Sequence, residues 1–332
     1  MIETAVVDSE ADLRALEPEW WDLWGRSASA TPFQSPAWAM PWWEAFAPGR
    51  LHVVTLRRRG ELVGLAPFYV DPERRALPIG IAASDYLDVL IDPKYAAPVT
   101  VALDAEIARG LGAGMAEWEM PDLPPEAQAF GLSPDADTTI EPGQVCPVLP
   151  LPAGAVDLSS VIPARKWRKL RMARNRARRL GGGSISCCHG AGLAEAFAAL
   201  VELHGLRWEE RGGGVLADPR VRLFHQRALP ELDRAGLLEL LVCRIGGDIV
   251  GVYYGLKDRS RSYAYIGGFD PAQAFVSPGT LLIGHALDRA LSEGRREFHF
   301  LRGREGYKYE WGAVDRLSRR RVFRPAPAYA DA

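Results

Sequence analysis

Three groups of residues in this chain have types and spacing suited to chemistry. The first is Ser277-Pro278-Gly279-Thr280, standing just ahead of an apolar, helix-like stretch. A helix N-terminus leaves backbone N–H groups without partners and so makes an anion site. Pro278 fixes the entry and has no donor to lose, and Gly279 lets a ligand approach the backbone closely. Thr280 adds a hydroxyl and can cap the helix together with Ser277. The loop therefore reads either as a phosphate or pyrophosphate cradle or as an ordinary capped helix start. The second group lies on a helix expected over 191–211. His204 and Trp208 are four apart and share a face, and with Arg207 and Arg211 they can line a cleft. A lone helical histidine is also a common structural residue. The third is Cys187-Cys188-His189, which suggests a thiol nucleophile but sits at a strand start after a Gly-rich stop. The four cysteines have no CxxC spacing and form no disulfide framework, so neither a structural zinc site nor any other metal is expected.

Charge points to one further segment. Between Arg165 and Leu180 lie nine of the 40 basic residues and none of the 42 acidic ones. Trp167, Leu170, Ala173, Ala177 and Leu180 make a stripe of helical spacing there, and Gly181-Gly182-Gly183 stops the helix. One face packs and the other displays arginines. That display reads either as a solvated connecting helix or as a surface for a phosphorylated acceptor, a nucleic acid or an anionic membrane. Interleaved aromatics of the single-strand-binding kind are missing, which weakens the nucleic-acid branch.

The elements that must position these groups repeat along the chain. Gly60-Glu61-Leu62-Val63-Gly64 and Gly247-Asp248-Ile249-Val250-Gly251 each stand in the middle of a β-hairpin pattern, over 51–69 and 238–254. Each hairpin is followed by a strand ending in Asp-Pro, a helix (97–111 and 279–293) and another strand (116–120 and 297–301). Each is preceded by helices, at 9–25 and 36–46 in the first half and at 191–211 and 219–234 in the second. Each half thus reads α-α-β-β-β-α-β, the pattern of a tandem duplication. Residues 121–160, rich in Pro, Gly, Ala and Asp, read as loop. The division expected is a first domain over 1–155, a linker with the Arg-rich helix over 156–183, and a second domain over 184–332. A length of 332 residues suits two domains. The N-terminus carries no signal-peptide pattern and no run of about 18 apolar residues exists, so a cytoplasmic protein without a membrane span is expected.

The hairpin, the strand 262–268, the Ser277–Thr280 loop, the helix and the last strand together resemble the core of the GNAT acyltransferase superfamily, and the tandem arrangement resembles Fem-type aminoacyl transferases. Three segments look most like CelD-type (cellulose biosynthesis protein-like) members: the Arg-rich helix 165–180, Phe269–Leu282, and Gly306-Tyr307-Lys308-Tyr309-Glu310-Trp311-Gly312. The resemblance implies an α/β fold of two GNAT-like units, each a mixed, mostly antiparallel sheet flanked by helices. It implies acyl-CoA, in the simplest case acetyl-CoA, as co-substrate in the second half. Its pantetheine would pair with the strand edge at Ile266, Gly267, Gly268 and Phe269, and its pyrophosphate would sit on Ser277, Pro278, Gly279 and Thr280. One departure stands out: Ala274 and Ser277 occupy the places where the family's pyrophosphate motif has Gln or Arg and its first Gly. That change fits weaker cofactor binding, another acyl carrier or no cofactor.

Acyl transfer from a thioester needs a neutral amine, a stabilised oxyanion and a protonated leaving thiolate. Tyr307 is the candidate acid and Lys308 the candidate for stabilising negative charge. Against this, Tyr307 and Tyr309 also read as core aromatics on alternate positions of a strand, with Lys308 pointing to solvent. The acceptor is expected between the halves, against Asp85 and Tyr86 from the first and His204, Arg207 and Trp208 from the second. Asp85 also reads as part of a capped turn. The first half has Lys94-Tyr95-Ala96-Ala97-Pro98 where the second has Ser-Pro-Gly, which assigns any thioester to the second half. The activity implied is N-acyl transfer to a small-molecule or cell-envelope-precursor amine. The alternatives are aminoacyl transfer from tRNA and a degenerate module in exopolysaccharide biosynthesis.

Overall fold

The structure is a computed structural model that describes residues 1–155, 157–180, 183–208 and 214–326. The chain divides into two compact units, residues 1–144 with 317–332 and residues 145–316. Among the described residues, no helix is long and apolar enough to cross a membrane.

The first unit runs β1 (Glu3–Val7), α1 (Glu10–Ala15), α2 (Glu17–Arg26), α3 (Pro36–Phe46), β2 (Arg50–Arg58), β3 (Glu61–Val70), β4 (Arg75–Pro78), β5 (Leu90–Ile91), α4 (Ala96–Gly112) and β6 (Glu117–Leu123), then β7 (Asp137–Pro150), which carries the chain into the second unit. The second unit continues with α5 (Ala164–Arg179), β8 (Ser184–Cys187), α6 (Gly192–Trp208), α7 (Pro219–Arg234), β9 (Leu238–Ile245), β10 (Asp248–Lys257), β11 (Arg261–Phe269), α8 (Pro278–Ser292), β12 (Glu297–His299) and α9 (Gly306–Glu310), and β13 (Val314–Arg324) returns to the first. Both hairpins close as the sequence dictates. Arg59 and Gly60, and Gly246 and Gly247, all have positive φ, the two-residue turn whose twist matches that of the strands. Pro36 and Pro219 stand in the first turns of their helices, and Asp218 accepts the Arg220 N–H.

Strand order and sense repeat. The first unit's sheet is β1-β2-β3-β4-β6-β13, the second's β8-β9-β10-β11-β12-β7. In each the first three pairings are antiparallel, the fourth (β4 with β6, β11 with β12) is parallel and the fifth antiparallel. These are the mixed, mostly antiparallel α/β units expected. The sixth strand is exchanged in sequence. Val322 and Phe323, near the chain's end, pair with Glu119 and Trp118, while Val148 and Leu149 pair with His299 and Phe298 of the second unit.

That exchange corrects two expectations. Residues 121–160 contain the 14-residue strand β7, and the division falls at 144/145 and 316/317, because strands and not a linker cross it. The Arg-rich helix accordingly belongs to the second unit, where Leu170, Ala173 and Ala177 join a core built around Phe298, Phe300 and Trp311. Smaller differences follow local chemistry. The 9–25 helix breaks at Leu16, with Pro18 opening the second piece, the short edge strand β1 is additional, and β8 ends at Cys187, where a strand start was expected.

The third strand shows where the repeat fails. In the second unit β11 is continuous and pairs with β10 from Lys257↔Ser262 to Gly251↔Phe269. In the first unit its counterpart is split: β4 meets β3 at Phe68–Val70 and β5 meets it at Gly64–Leu65, with residues 79–89 inserted between.

Candidate active site

The site begins with a parting of strands. β11 pairs with β12 only from Arg261 to Tyr263. Beyond His299 the chain stays with β7, the Phe300 N–H donating to Pro147 O and the Gly303 N–H to Val145 O. β11 stays with β10 as far as Phe269, so past Tyr263 its other edge, at Ala264 and Ile266–Gly268, pairs with no strand among the described residues. A bulge helps the divergence: Tyr254 pairs with Ile266 and Gly255 with Ala264, so Tyr265 is passed over. The opening is a cleft of about 350 Å³, lined by β11 residues Ala264–Phe269 and by Ala274, Ser277, Pro278, Gly279 and Thr280.

At the start of α8, Ser277 adopts the left-handed conformation (φ 60°) and its side chain makes no capping bond. The Ser277 hydroxyl donates to Ala274 O at 3.3 Å. The capping role expected of Ser277 is thereby corrected, and the consequence favours a ligand. Thr280 and Leu281 donate back to Ser277 O, Pro278 has no N–H, and the Gly279 N–H meets no acceptor among the described residues. A Cβ on Gly279 would lie 3.3 Å from the Phe269 ring, so the position is narrow.

The glycines of β11 have separate reasons. A Cβ on Gly268 would come within 2.7 Å of the His204 backbone nitrogen, so its close neighbour is helix α6. Gly267 has only Val252 O at 3.8 Å beside its missing Cβ. His204 is buried, with Nδ1 3.3 Å from Gly267 O, and it does not line the cleft. Arg207 and Trp208 end α6, but their side chains, and residues 209–213 with Arg211, lie outside the described residues.

Gly306–Glu310 is a short helix, which corrects the strand expected for Tyr307 and Tyr309. Tyr307 is 37% exposed and lines the cleft. Tyr309 is directed elsewhere, its hydroxyl donating to Asp315 at 2.7 Å. Lys308 departs from both of its expected places. It is 2% exposed, and its ammonium donates to the carbonyls of Leu301, Arg302 and Gly303 at 3.0, 2.6 and 3.1 Å. Its three donors are shared among these carbonyls and the Glu305 carboxylate, 2.9 Å away, and no free ammonium is offered to an acceptor. Asp85 and Tyr86 are buried within the first unit, where Tyr86 O accepts from Gln34 and its ring meets Phe33 edge-on. Burial pushes the Cys187 and Cys188 thiols up, away from the nucleophilic thiolate. No group of three or more His, Cys, Asp or Glu among the described residues could hold a metal ion.

Residues 164–309 match the family model of the acetyltransferase (GNAT) domain. The second unit holds a GNAT acetyltransferase domain. Its class is that of an acyltransferase. No curated protein matches the chain in sequence. Among solved structures the chain is similar to the crystal structure of FemX, with 12% identity over 96% of each chain and a TM-score of 0.66. It is also similar to a conserved protein of unknown function from Bacteroides thetaiotaomicron VPI-5482, with 13% identity, 97% and 99% coverage and a TM-score of 0.63. A third likeness is to L-PGS from Bacillus licheniformis, with 11% identity, 97% and 94% coverage and a TM-score of 0.59. At such identities the likeness is one of fold.

Sequence reasoning missed two residues that line the cleft, Lys166 and Trp311. Lys166 is 5% exposed, and its Nζ lies 4.4 Å from the centre of the Trp311 ring. It donates to Glu310 at 3.2 Å, and Glu310 also accepts from Lys169 at 3.0 and 3.1 Å. A signal existed. Lys166, Leu170, Ala173 and Ala177 are the buried positions of α5, a 4-3-4 stripe that puts a lysine on the packed face.

Proposed function

We propose that the second unit binds an acyl-CoA, with an acetyl group as the simplest case, and transfers the acyl group to an amine. The observation that carries this reading is that Ala264 and Ile266–Gly268, beyond the last β11–β12 pair at Tyr263, have no second partner strand among the described residues and lie in one cleft with the uncapped start of α8. Extended pantetheine amides suit the first as an added strand, and a pyrophosphate suits the second. Ala274 brings no polar side chain to that end, so the backbone donor of Gly279 and the Thr280 hydroxyl carry the recognition. The amine lone pair attacks the thioester carbonyl, the C–S bond breaks, and the thiolate takes the Tyr307 hydroxyl proton. The proton shed by the new amide nitrogen restores Tyr307 through solvent. The described residues lining the cleft include no histidine and no carboxylate, so the amine must arrive neutral. The test is calorimetric titration of acetyl-CoA into wild type and Gly279→Trp. Binding by wild type and its loss in the variant is expected. Absence of wild-type binding, or binding that survives the bulky residue, refutes the pocket.

The exposed face of α5 supports a second reading, aminoacyl transfer from tRNA. Arg165, Arg168, Arg171 and Arg179 make no ion pair among the described residues, whereas Arg174 pairs with Asp288. Filter binding of tRNA at physiological salt, with a steep salt slope, is the outcome it requires. Placement among CelD-type proteins and a cell-envelope amine as acceptor belong to the same proposal and stand on the three resembling segments.

A further inference from the structure

The proposed cleft has two buried donors on its wall and too few acceptors for them. Lys166 is the only charged residue among the described residues that line it. Its single hydrogen-bond acceptor, Glu310, also serves Lys169, so two ammonium groups share one carboxylate and the trio carries a net positive charge. The sharing is unequal. Lys169 is half exposed and reaches water, while Lys166 is enclosed. Trp311, under the Lys166 ammonium, is fully buried, and its indole N–H meets no acceptor among the described residues. An indole nitrogen can only donate, and an ammonium carries three donors and no acceptor. Buried donors left without partners cost free energy, and in native proteins they mark a place that a water, an ion or a ligand fills. Burial draws the Lys166 ammonium below the ordinary lysine range, with Glu310 opposing. A further anion beside it would relieve that penalty.

We propose that Lys166 and Trp311 form a carboxylate subsite, so that the transfer takes a substrate with a carboxylate on its acyl group or on its amine. This rests on the acyl-CoA reading of the cleft. A carboxylate accepts from both donors at once, neutralises the surplus charge and leaves the Glu310–Lys169 pair intact. The apolar remainder of the wall, with Tyr253, Ile283 and Leu282, strengthens the interaction by excluding water.

The experiment compares isosteric probes by titration calorimetry. In the donor arm, malonyl-CoA is set against propionyl-CoA and succinyl-CoA against butyryl-CoA, each pair differing by a carboxylate in place of a methyl group. In the acceptor arm, with CoA saturating, β-alanine is set against propylamine and glycine against ethylamine. The carboxylated member of a pair in one arm should bind about ten-fold more tightly to wild type. That arm names the source. Lys166→Met keeps the length of the stem and should abolish the preference, and Trp311→Phe keeps the ring and should weaken it. Circular dichroism confirms that each variant is folded, and if one is not, the other decides. Overturning results are CoA binding without discrimination in either arm, or discrimination that persists in the folded variants. If neither CoA nor its esters bind wild type, the acyl-CoA reading has failed and the subsite falls with it.

Discussion

Tyr307 and Lys308 are neighbours in sequence with opposite surroundings, and their variants should fail in opposite ways. Tyr307 lines the cleft on an exposed turn of α9, so Tyr307→Phe removes a proton donor and little packing. Its kcat should fall about 100-fold, the usual scale for losing a general acid, with the melting temperature unchanged. Activity equal to wild type would remove Tyr307 from the mechanism. Lys308→Met strips one buried and two part-buried carbonyls of their donor, and an unsatisfied buried group costs about 1–3 kcal/mol. Urea melts should show a large loss of stability, and Lys308 then counts as a positioning residue for Tyr307. A Lys308→Met protein that melts like wild type yet loses kcat would restore the charge-stabilising role expected from sequence. The chemistry of the 306–312 segment was legible as residue types, but its geometry was not. Five residues of α9 are too few to show helical periodicity, and the tyrosines at 307 and 309 mimic strand alternation. Lys166 was hidden for a related reason. A basic residue in a run of nine reads as part of a solvated face, and only the burial of Leu170, Ala173 and Ala177 shows that it begins the packed stripe.

At the scale of elements, the two units differ most in their third strand. In the first unit the inserted segment 79–89 interrupts it, and the insert is filled by its own contacts: Trp38 Nε1 donates to Ser84, and the Asp88 carboxylate accepts from the Gln128 and Ala129 backbones. In the second unit the strand runs on, bulged at Tyr265, and keeps its edge open. That contrast gives the proposed thioester site to the second unit on backbone grounds, beyond the missing Ser-Pro-Gly that first suggested it. It also yields a paired prediction. Gly268→Ala must push α6 away from β11, since its Cβ would sit 2.7 Å from His204 N, and overpacking of this kind costs about 1–3 kcal/mol. Gly267→Ala meets nothing closer than 3.8 Å and should melt within about 0.5 kcal/mol of wild type. Equal urea midpoints for the two variants would contradict the packing described. The hairpins, α7, α8 and β11 were legible to within three residues because turn glycines, proline entries and apolar periods agreed there. β7 was not, because Pro142 and Gly143 carry a loop's composition. Gly143 in fact faces Ser318, whose Oγ leaves no room for an added Cβ, and the partner strand arrives from far along the chain.

For the molecule as a whole, buried histidines and a buried carboxyl, Asp88, pull the response to acid in opposite directions. Burial holds His225 down to about 3, and burial also lowers His52 in the first unit and His299 in the second. In each case the folded form binds its proton later than the unfolded chain does. Stability is therefore full above the unfolded value near 6.5 and drains as pH falls, at about 1.4 kcal/mol per pH unit for His225 alone down to its folded value. Glu297 adds to the same slope further down, being held low by its bond to His299 and by Arg316, and its contribution disappears below the ordinary carboxylate range. Burial raises the Asp88 carboxyl to about 7 and opposes that slope over the same range, so the histidine contribution is read by difference: acidification from pH 7 to pH 5 should cost His225→Phe less melting temperature than wild type. The same pH dependence in wild type and variant would contradict the burial of His225. The exchanged strands make a second whole-molecule demand. The first unit's sheet is completed by residues near the chain's end, with Phe323 in its core and Arg321 donating to Ala129 O and Leu132 O. Ending the chain after Arg316 removes that strand and leaves the second unit's six strands intact. Calorimetry of the 1–316 chain should lose one of the transitions of the full chain, with red-shifted tryptophan emission as Trp118 is exposed, while acetyl-CoA still binds. Loss of both transitions together would show that the two units fold as one and that the strand exchange couples them.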